Sequence, residues 1–468
     1  MLNFSHRSHR FKTALLLVLL ALPVWAPSFR RVEASPEGIL AGQPKSVYRE
    51  RRQKLLQQVR DGIVVMIGAR EEDFGEVGRF RQRNDFMYLT GVETPAAYLI
   101  LVPGGVLPGR PESETVFIPP RNLTRERWTG IKLGPGAEAQ QIFGIADVAP
   151  ADKFKERLDA LLSGAAGSEN PPPKIYTVVT SGPGSELSRE ARFVEMLKQS
   201  YPKNEISNLA GITAEMRKVK EPSELDLLQK AVDVSLEGHR EIAKAIKPGV
   251  YEYEAQAALE AAFTRLGSER TGYPSIIGSG FNSTILHYNE NRKKIAPGEL
   301  VVVDAAAEYS YYTADITRTF PASGRFTPRQ RDIYRLVLEA QRAAEKAFKP
   351  GESTMKDLQQ AALQVMKSSP LRDKQGNTLE RYFIHGLGHW IGMDVHDVGS
   401  YGVLPAGSVI TIESGIYIQE EKLGVRIEDD YLVTNSGLKK LSAKLPCEPE
   451  EVERMMSRGA PSARKRTK

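Results

Sequence analysis

The order of apolar and polar positions divides the chain into two stretches. Residues 48–60 are charged with helical spacing, and Gly62 to Gly68 (GIVVMIG) is an unbroken apolar run bounded by glycine, which predicts a buried strand. Strand-like and helix-like segments alternate to about residue 210. They are interrupted by Ser163 to Pro173 (SGAAGSENPPP), a composition that suits neither helix nor strand. Pro222-Ser223-Glu224, followed by Leu225, Leu228, Val232 and Leu236, then marks the start of a new amphipathic helix. A domain boundary is therefore expected near residue 212, with 35–212 as a first αβ domain and 213–454 as a second.

The second stretch carries a faint internal repeat. Ala245-Ile246-Lys247-Pro248-Gly249 precedes a helix with Gln256-Ala257-Ala258-Leu259, and Ala347-Phe348-Lys349-Pro350-Gly351 precedes one with Gln360-Ala361-Ala362-Leu363. Lys-Pro-Gly is ordinary helix-stop chemistry. Two copies 102 to 104 residues apart, each followed by strands, predict a duplicated αβ half-domain. Each half supplies an apolar hairpin. Leu300 to Ala306 (LVVVDAA) and Tyr311 to Thr319 (YYTADITRT) flank Tyr309-Ser310; Val409 to Ile418 (VITIESGIYI) and Gly424 to Val433 (GVRIEDDYLV) flank Glu420-Glu421.

With a two-residue turn at Tyr309-Ser310, Asp304 sits opposite Asp315; in the second hairpin Glu413 opposes Glu428. Directly opposed Cβ atoms are about 5 Å apart. Two such charges repel by about 3 kcal/mol at an effective dielectric near 20, a cost that a cation or a shared proton offsets. Between the hairpins, Phe383 to Asp397 (FIHGLGHWIGMDVHD) holds three of the seven histidines: His385, His389 and His396. Gly386, Gly388 and Gly392 argue for a strand or glycine-rich turn rather than a helical zinc motif. His287, in STILHYNEN, precedes His389 by 102 residues and is expected at the related place in the first repeat. Four carboxylates and one imidazole form a hard, oxygen-rich set that suits two divalent ions, Mn²⁺ first, with Co²⁺ or Zn²⁺ as alternatives. Such a pair makes hydroxide available near neutral pH, and hydrolysis of an amide is its natural use.

Composition narrows the class. A chain of 468 residues that is 41% hydrophobic and 26% charged is neither a single small module nor a disordered or fibrous protein. The net charge of +6 is concentrated at the two ends; residues 35–457 carry −3, so nucleic acid is not an expected partner. Cys447 is the only cysteine, which excludes internal disulfides, cysteine-based zinc sites and redox pairs. Residues 1–34 have the order of an export signal: basic Arg7, Arg10 and Lys12, an apolar run from Thr13 to Trp25, then Val32-Glu33-Ala34. Cleavage would leave Ser35 first and the mature protein periplasmic or secreted, with no stable membrane span. The alternative is an uncleaved anchor, but the run of 13 residues is short against the ~20 of a spanning helix. Residues 455–468 are expected to form a basic, disordered tail.

At IGSGFNSTILHYNEN, VVVDAAAEYSYYTADITRTFPASGRFT, HGLGHWIGMDVHDVG and GVRIEDD the chain resembles the pita-bread metallopeptidases, and among them the Xaa-Pro aminopeptidases (aminopeptidase P). The likeness is close over 213–445 and looser over 45–212, where Arg83 to Gly91 (RNDFMYLTG) is similar to the family's first-domain pattern. It implies an α/β (α+β) fold, an N-terminal αβ domain followed by a catalytic domain of duplicated αβ units around an antiparallel sheet. It implies that Asp304, Asp315, His389, Glu413 and Glu428 are the metal ligands, with Asp315 and Glu428 bridging. His287, His385 and His396 are then expected to line the substrate site, and Tyr417 and Arg426 to support it. The implied reaction releases the first residue from peptides with proline second. A hydroxide bridging the two ions attacks, His287 steadies the oxyanion, His396 assists the leaving proline nitrogen and Glu413 shuttles the proton. A homo-oligomer is expected. Two positions depart from the family: Ser414 stands where Pro is usual, and Gly388 where Ser is frequent. The competing readings are a Xaa-Pro dipeptidase with the same five ligands and a silent peptide-binding relative, which would have lost ligands that are all present here.

Overall fold

The apolar run of the first stretch is the strand β1 (Gly62–Ile67), and both of its faces are covered. Val64 and Met66 pack into one core while Ile63, Val65 and Ile67 pack into another, which is why the run shows no polar alternation. The computed structural model describes residues 38–74, 78–163, 171–180 and 188–457. The export signal at 1–34, residues 164–170 of the Gly/Ser/Pro loop and residues 458–468 of the tail lie outside them. In the first stretch β1 joins β2 (Tyr98–Val102), β3 (Ser113–Ile118), β4 (Asp147–Pro150), β5 (Lys174–Thr177) and β6 (Ile206–Asn208) in a mixed sheet of order β4-β3-β2-β1-β5-β6. Helices α1 (Lys45–Gln58) and α2 (Asn84–Thr90) belong to this part, and α3 (Ala210–Lys218) follows the last strand and contains residue 212.

Helix α4 (Pro222–Ala245) begins where its sequence signature places it: Pro222 occupies the first turn, and the Glu221 N–H donates to Glu224 Oε2 at 2.9 Å. It is followed by α5 (Glu252–Arg265), as α6 (Pro328–Ala347) is followed by α7 (Met355–Ser368). The two Lys-Pro-Gly turns join the pairs, with Gly249 and Gly351 at φ of 91° and 74°, where a side chain would strain. After the first pair come β7 (Ile276–Ser279), β8 (Leu300–Asp304) and β9 (Thr317–Pro321); after the second, β10 (Val409–Ile418), β11 (Leu423–Thr434) and β12 (Gly437–Lys440). They form one antiparallel sheet of order β7-β8-β9-β11-β10, with β12 beside β11. This is the duplicated αβ architecture that the repeat predicts.

Two expectations need correction. The first hairpin turns at Ser310-Tyr311, whose φ angles are 47° and 73°, rather than at Tyr309-Ser310. Tyr309 pairs with Tyr312, and Asp304 faces Thr317 instead of Asp315. Apolar alternation fixes which face a residue occupies, but tyrosines around the turn leave its position open. Tertiary contacts decide it, since the Tyr311 hydroxyl accepts the Gln82 N–H at 3.0 Å and Arg81 lies 4.9 Å over its ring. Because the register moves by two, Asp315 stays on the same face as Asp304, one diagonal away. The second correction concerns the tail. Helix α8 (Pro449–Ser457) buries Val452, Met455 and Met456, so residues 455–457 belong to the fold; its apolar spacing overrides the basic composition that follows.

No helix among the described residues is long and apolar enough to cross a membrane. Ser414 is fully buried on β10 opposite Ile427, and its hydroxyl finds no hydrogen-bond partner among the described residues. An orphaned buried hydroxyl costs about 1–3 kcal/mol. Ser414→Ala is therefore expected to raise the apparent melting temperature, read by differential scanning fluorimetry; a lower value would contradict this account.

Candidate metal centre

Strand pairing places Ile276, Asp304, Thr317, Glu428 and Glu413 in one row across five strands. Three carboxylates thus share one line on one face, and Asp315 stands two residues before Thr317 on the same side. Arg426 and Asp430, two residues either side of Glu428, face the same way. The segment Leu387–Ile391 then runs antiparallel along the free edge of β10: Glu413 N–H donates to Leu387 O at 2.7 Å, Thr411 N–H to His389 O at 3.0 Å, and Ile391 N–H to Val409 O at 3.1 Å. His389 is delivered beside Glu413 by this added edge. A Cβ on residue 388 would overlap the Thr411 carbonyl oxygen, so Gly388 is what lets the segment close on β10.

Distances follow from that frame. One ligand atom each from Asp315, His389 and Glu428 lie within 4.8 Å of one another. His389 Nε2 is 3.5 Å from Asp315 Oδ2 and 3.7 Å from Glu413 Oε1. Its Nδ1 is 3.0 Å from the Trp390 carbonyl, which accepts the Nδ1–H and directs Nε2 toward the carboxylates. Arg426 Nη2 donates to Asp304 Oδ2 at 2.6 Å and Nη1 to the Tyr417 hydroxyl at 3.2 Å. Thr317 Oγ1 donates to Glu428 Oε2 at 2.8 Å.

The electrostatics are those of crowded, buried anions. Burial, and then the charges of Asp315, Glu413 and Asp304, push the Glu428 carboxyl well above its usual range. Burial raises Asp304 against the pull of Arg426, and it pushes Glu413 up to about 7. Burial alone would lower His389, but Asp315 and Glu413 carry it up to about 9. Each shift marks a group whose charge balance is incomplete, and a hard divalent cation among these oxygens would complete it. The donor set fits such ions.

All five predicted ligand residues are brought together. His385 holds the Tyr417 hydroxyl through Nε2 at 2.8 Å, its Nδ1 is 3.7 Å from Glu413 Oε2, and burial lowers it to about 4. His396 lies against His389 with ring centroids 4.1 Å apart; burial, then His389, lower it too. His287 is exposed and near enough to both histidines to lower them further. Sequence reasoning missed Tyr273, whose hydroxyl is 2.6 Å from Asp304 Oδ1 and 2.6 Å from Asp315 Oδ1 and whose one proton serves one of them at a time. It missed Thr317, which only the corrected register places in the row, and Asp430, whose Oδ2 accepts the Asp315 N–H at 3.1 Å. No local pattern distinguishes that tyrosine from a packing residue.

His396 also lines a cavity of about 530 Å³, together with Arg81, Arg270, Glu308, Met393 and Asp394. Comparison with known proteins agrees with this picture. Residues 226–435 match the model of metallopeptidase family M24, and residues 48–168 match the aminopeptidase P N-terminal domain. The Xaa-Pro aminopeptidase of Escherichia coli K12 is 32% identical over 443 residues, 87% of this chain and 97% of that protein. Among solved structures, Pseudomonas aeruginosa aminopeptidase PepP superposes with a TM-score of 0.78 at 31% identity, over 89% of this chain and 98% of that one. A zinc-substituted E. coli aminopeptidase P in complex with product gives 0.78 at 30% identity, over 89% and 99%. The chain belongs to the Xaa-Pro aminopeptidases of metallopeptidase family M24.

Proposed function

We propose that this protein is a metal-dependent exopeptidase that releases the first residue from peptides with proline in second position. The observation that carries the reading is the buried row Asp304-Thr317-Glu428-Glu413 with Asp315 and His389 folded onto it, in a chain of this family. Asp304, Asp315, His389, Glu413 and Glu428 are the residues that would hold two divalent ions, with manganese the preferred metal. When bound, two such ions would supply Lewis acidity, lowering the pKa of a water toward about 7 and polarising the scissile carbonyl.

The chain's own residues do the rest. Glu413 takes up the proton of the attacking water, His287 donates to the carbonyl oxygen as negative charge develops there, and His396 assists protonation of the departing proline nitrogen. That proton matters because the bond before proline is a tertiary amide whose nitrogen carries no N–H. His385 holds the Tyr417 hydroxyl, and through it Arg426, so the side of the site next to Glu413 is fixed. The cavity that His396 lines would give room for peptide past the proline, which a dipeptide would leave empty. Tripeptides or longer are therefore the expected substrates.

Export belongs to the same reading, with Ser35 as the first mature residue. A homo-oligomer does too; Leu123, Trp128 and Ile131, on and beside the short helix Glu126–Thr129, are 69%, 88% and 81% exposed and offer apolar surface for it. N-terminal sequencing from the native host and light scattering of the purified protein check the two expectations. An intact Met1 on protein in the cytoplasm contradicts the first, and a monomer at micromolar concentration the second.

Asp315→Asn is expected to abolish activity and metal capture while the fold survives. The metal-free variant should melt no lower than metal-free wild type, because one buried like charge has gone, and only wild type should be stabilised by added metal. Circular dichroism and inductively coupled plasma mass spectrometry provide the readings. Full turnover by metal-free protein would end the metallopeptidase reading. Substrate is tested with manganese present, comparing Xaa-Pro-Yaa, Xaa-Ala-Yaa and Xaa-Pro. The first should be cleaved fastest; equal rates on the first two would remove proline specificity, and a preference for the dipeptide would make the protein a dipeptidase.

A further inference from the structure

The stretch Arg81–Asp85, leading into α2, takes no part in the centre described above, yet its polar side chains end on the loop that carries His396. That loop leaves the edge of β10 after Ile391 and closes where the Asp397 N–H returns to the Trp390 carbonyl at 2.9 Å. Its Met393 carbonyl accepts Arg81 Nη2 at 3.0 Å and Asn84 Nδ2 at 3.2 Å. Arg217 Nη2 donates to Asp394 Oδ2 at 2.7 Å and Asp397 Oδ1 at 2.6 Å, while its Nη1 donates to Asp85 Oδ1 at 2.9 Å. Lys220 Nζ holds the other oxygen of Asp397 at 2.9 Å. Arg217 is 3% exposed, whereas His396 is exposed. Residues 393, 394 and 397 are thus gripped on both sides of a histidine that the loop itself leaves free.

The grip is held from behind. Arg81 is fixed by Glu308 through Nε at 3.0 Å and lies over the Tyr311 ring, and Arg270 pairs with the same glutamate. Charge-assisted, forked contacts of this kind fix orientation as well as distance. We propose that Asn84 and Arg217, backed by Arg81 and Asp85, are positioning residues that set the height of His396 over the leaving nitrogen. Asn84, Asp85 and Arg217 thereby contribute to the proton delivery step without lining the cavity proposed for the peptide. The proposal rests on the reading of His396 given above. A displacement of about 1 Å at a group that must meet a reacting atom can cost about 100-fold in rate, and these contacts hold the backbone on either side of the exposed His396 against it.

The test is a double-mutant cycle on the metal-loaded full chain with a Xaa-Pro-Yaa tripeptide. Asn84→Ala should lower kcat about 3- to 10-fold and Arg217→Lys about 10- to 100-fold, each with KM changed less than about threefold and with metal content unchanged. Combined with His396→Ala, neither should reduce kcat further, because residues acting through one group are not additive. Multiplying losses in the double variants would overturn the positioning role while leaving His396 its own. Wild-type kcat in His396→Ala would remove the histidine's role, and this inference with it. Wild-type kcat in both single variants, or loss of metal from either, would also overturn it. Asn84 is half-buried and its variant keeps the test open if Arg217→Lys fails to fold.

Discussion

Four carboxylates confined to one buried patch of a β-sheet are the constraint on which the rest of the site depends. Opposed carboxylates at about 5 Å repel by about 3 kcal/mol, and burial removes the water that would screen them. The fold answers with single, directed partners. Arg426 meets Asp304, Thr317 meets Glu428, Tyr273 stands between Asp304 and Asp315, and His389 is drawn against Asp315 and Glu413. These partners are too few to neutralise the patch, and the upward shifts of Glu428, Asp304 and Glu413 are the consequence. A site left in that condition by the chain alone has a strong preference for divalent cations.

The sheet supplies the geometry and the loops supply the histidines. β8, β9, β11 and β10 hold the row at fixed spacing because every carboxylate sits on, or two residues beyond, a paired strand position. Histidines on loops need separate support, and each has it in a different form. His389 is tied to β10 by backbone pairing across Gly388, His385 is tied to Tyr417 and the Gly386 carbonyl, and the loop of His396 is held by groups from outside the sheet. The outer helices α4 to α7 take no part in the chemistry but cover the apolar side of the strands.

Much of this could be read from the sequence, because face and period are local properties. Glu413 and Glu428 were placed opposite one another by apolar alternation and a plausible turn, and the strands pair in that register. Asp304 and Asp315 were assigned to the right face but the wrong rung, since the position of the turn in Tyr309 to Tyr312 depends on Gln82 and Arg81, more than two hundred residues earlier. Tyr273, Thr317 and Arg217 carried no signal of their own: a tyrosine, a threonine and an arginine acquire a role only when distant segments close on them. The helical end of the chain was misread for a similar reason, because the apolar face of Val452, Met455 and Met456 is buried only by the distant surface it covers.

Neighbours on β11 make the point in its sharpest form. Glu428, Asp429 and Asp430 are consecutive acids, and the pleat sends the middle one to the opposite face. There Asp429 is fully buried but receives Arg318 Nη2 at 2.7 Å, Lys440 Nζ at 3.0 Å and Gln341 Nε2 at 3.0 Å, and despite burial the charges of Arg318 and Lys440 hold its carboxyl down to about 2. Its contribution to stability is present above the ordinary carboxylate range and is lost only as pH falls toward about 2. Glu428 has the opposite linkage: its raised carboxyl makes ionisation unfavourable to the fold as pH rises above the unfolded value, until a cation takes the charge. Arg318 also donates to the Thr317 and Glu428 carbonyls at 2.9 Å and 2.8 Å, so the satisfied acid on one face locks the rung on which β9 and β11 carry the unsatisfied row on the other. The strand can afford its strained face because the reverse face is closed around Asp429.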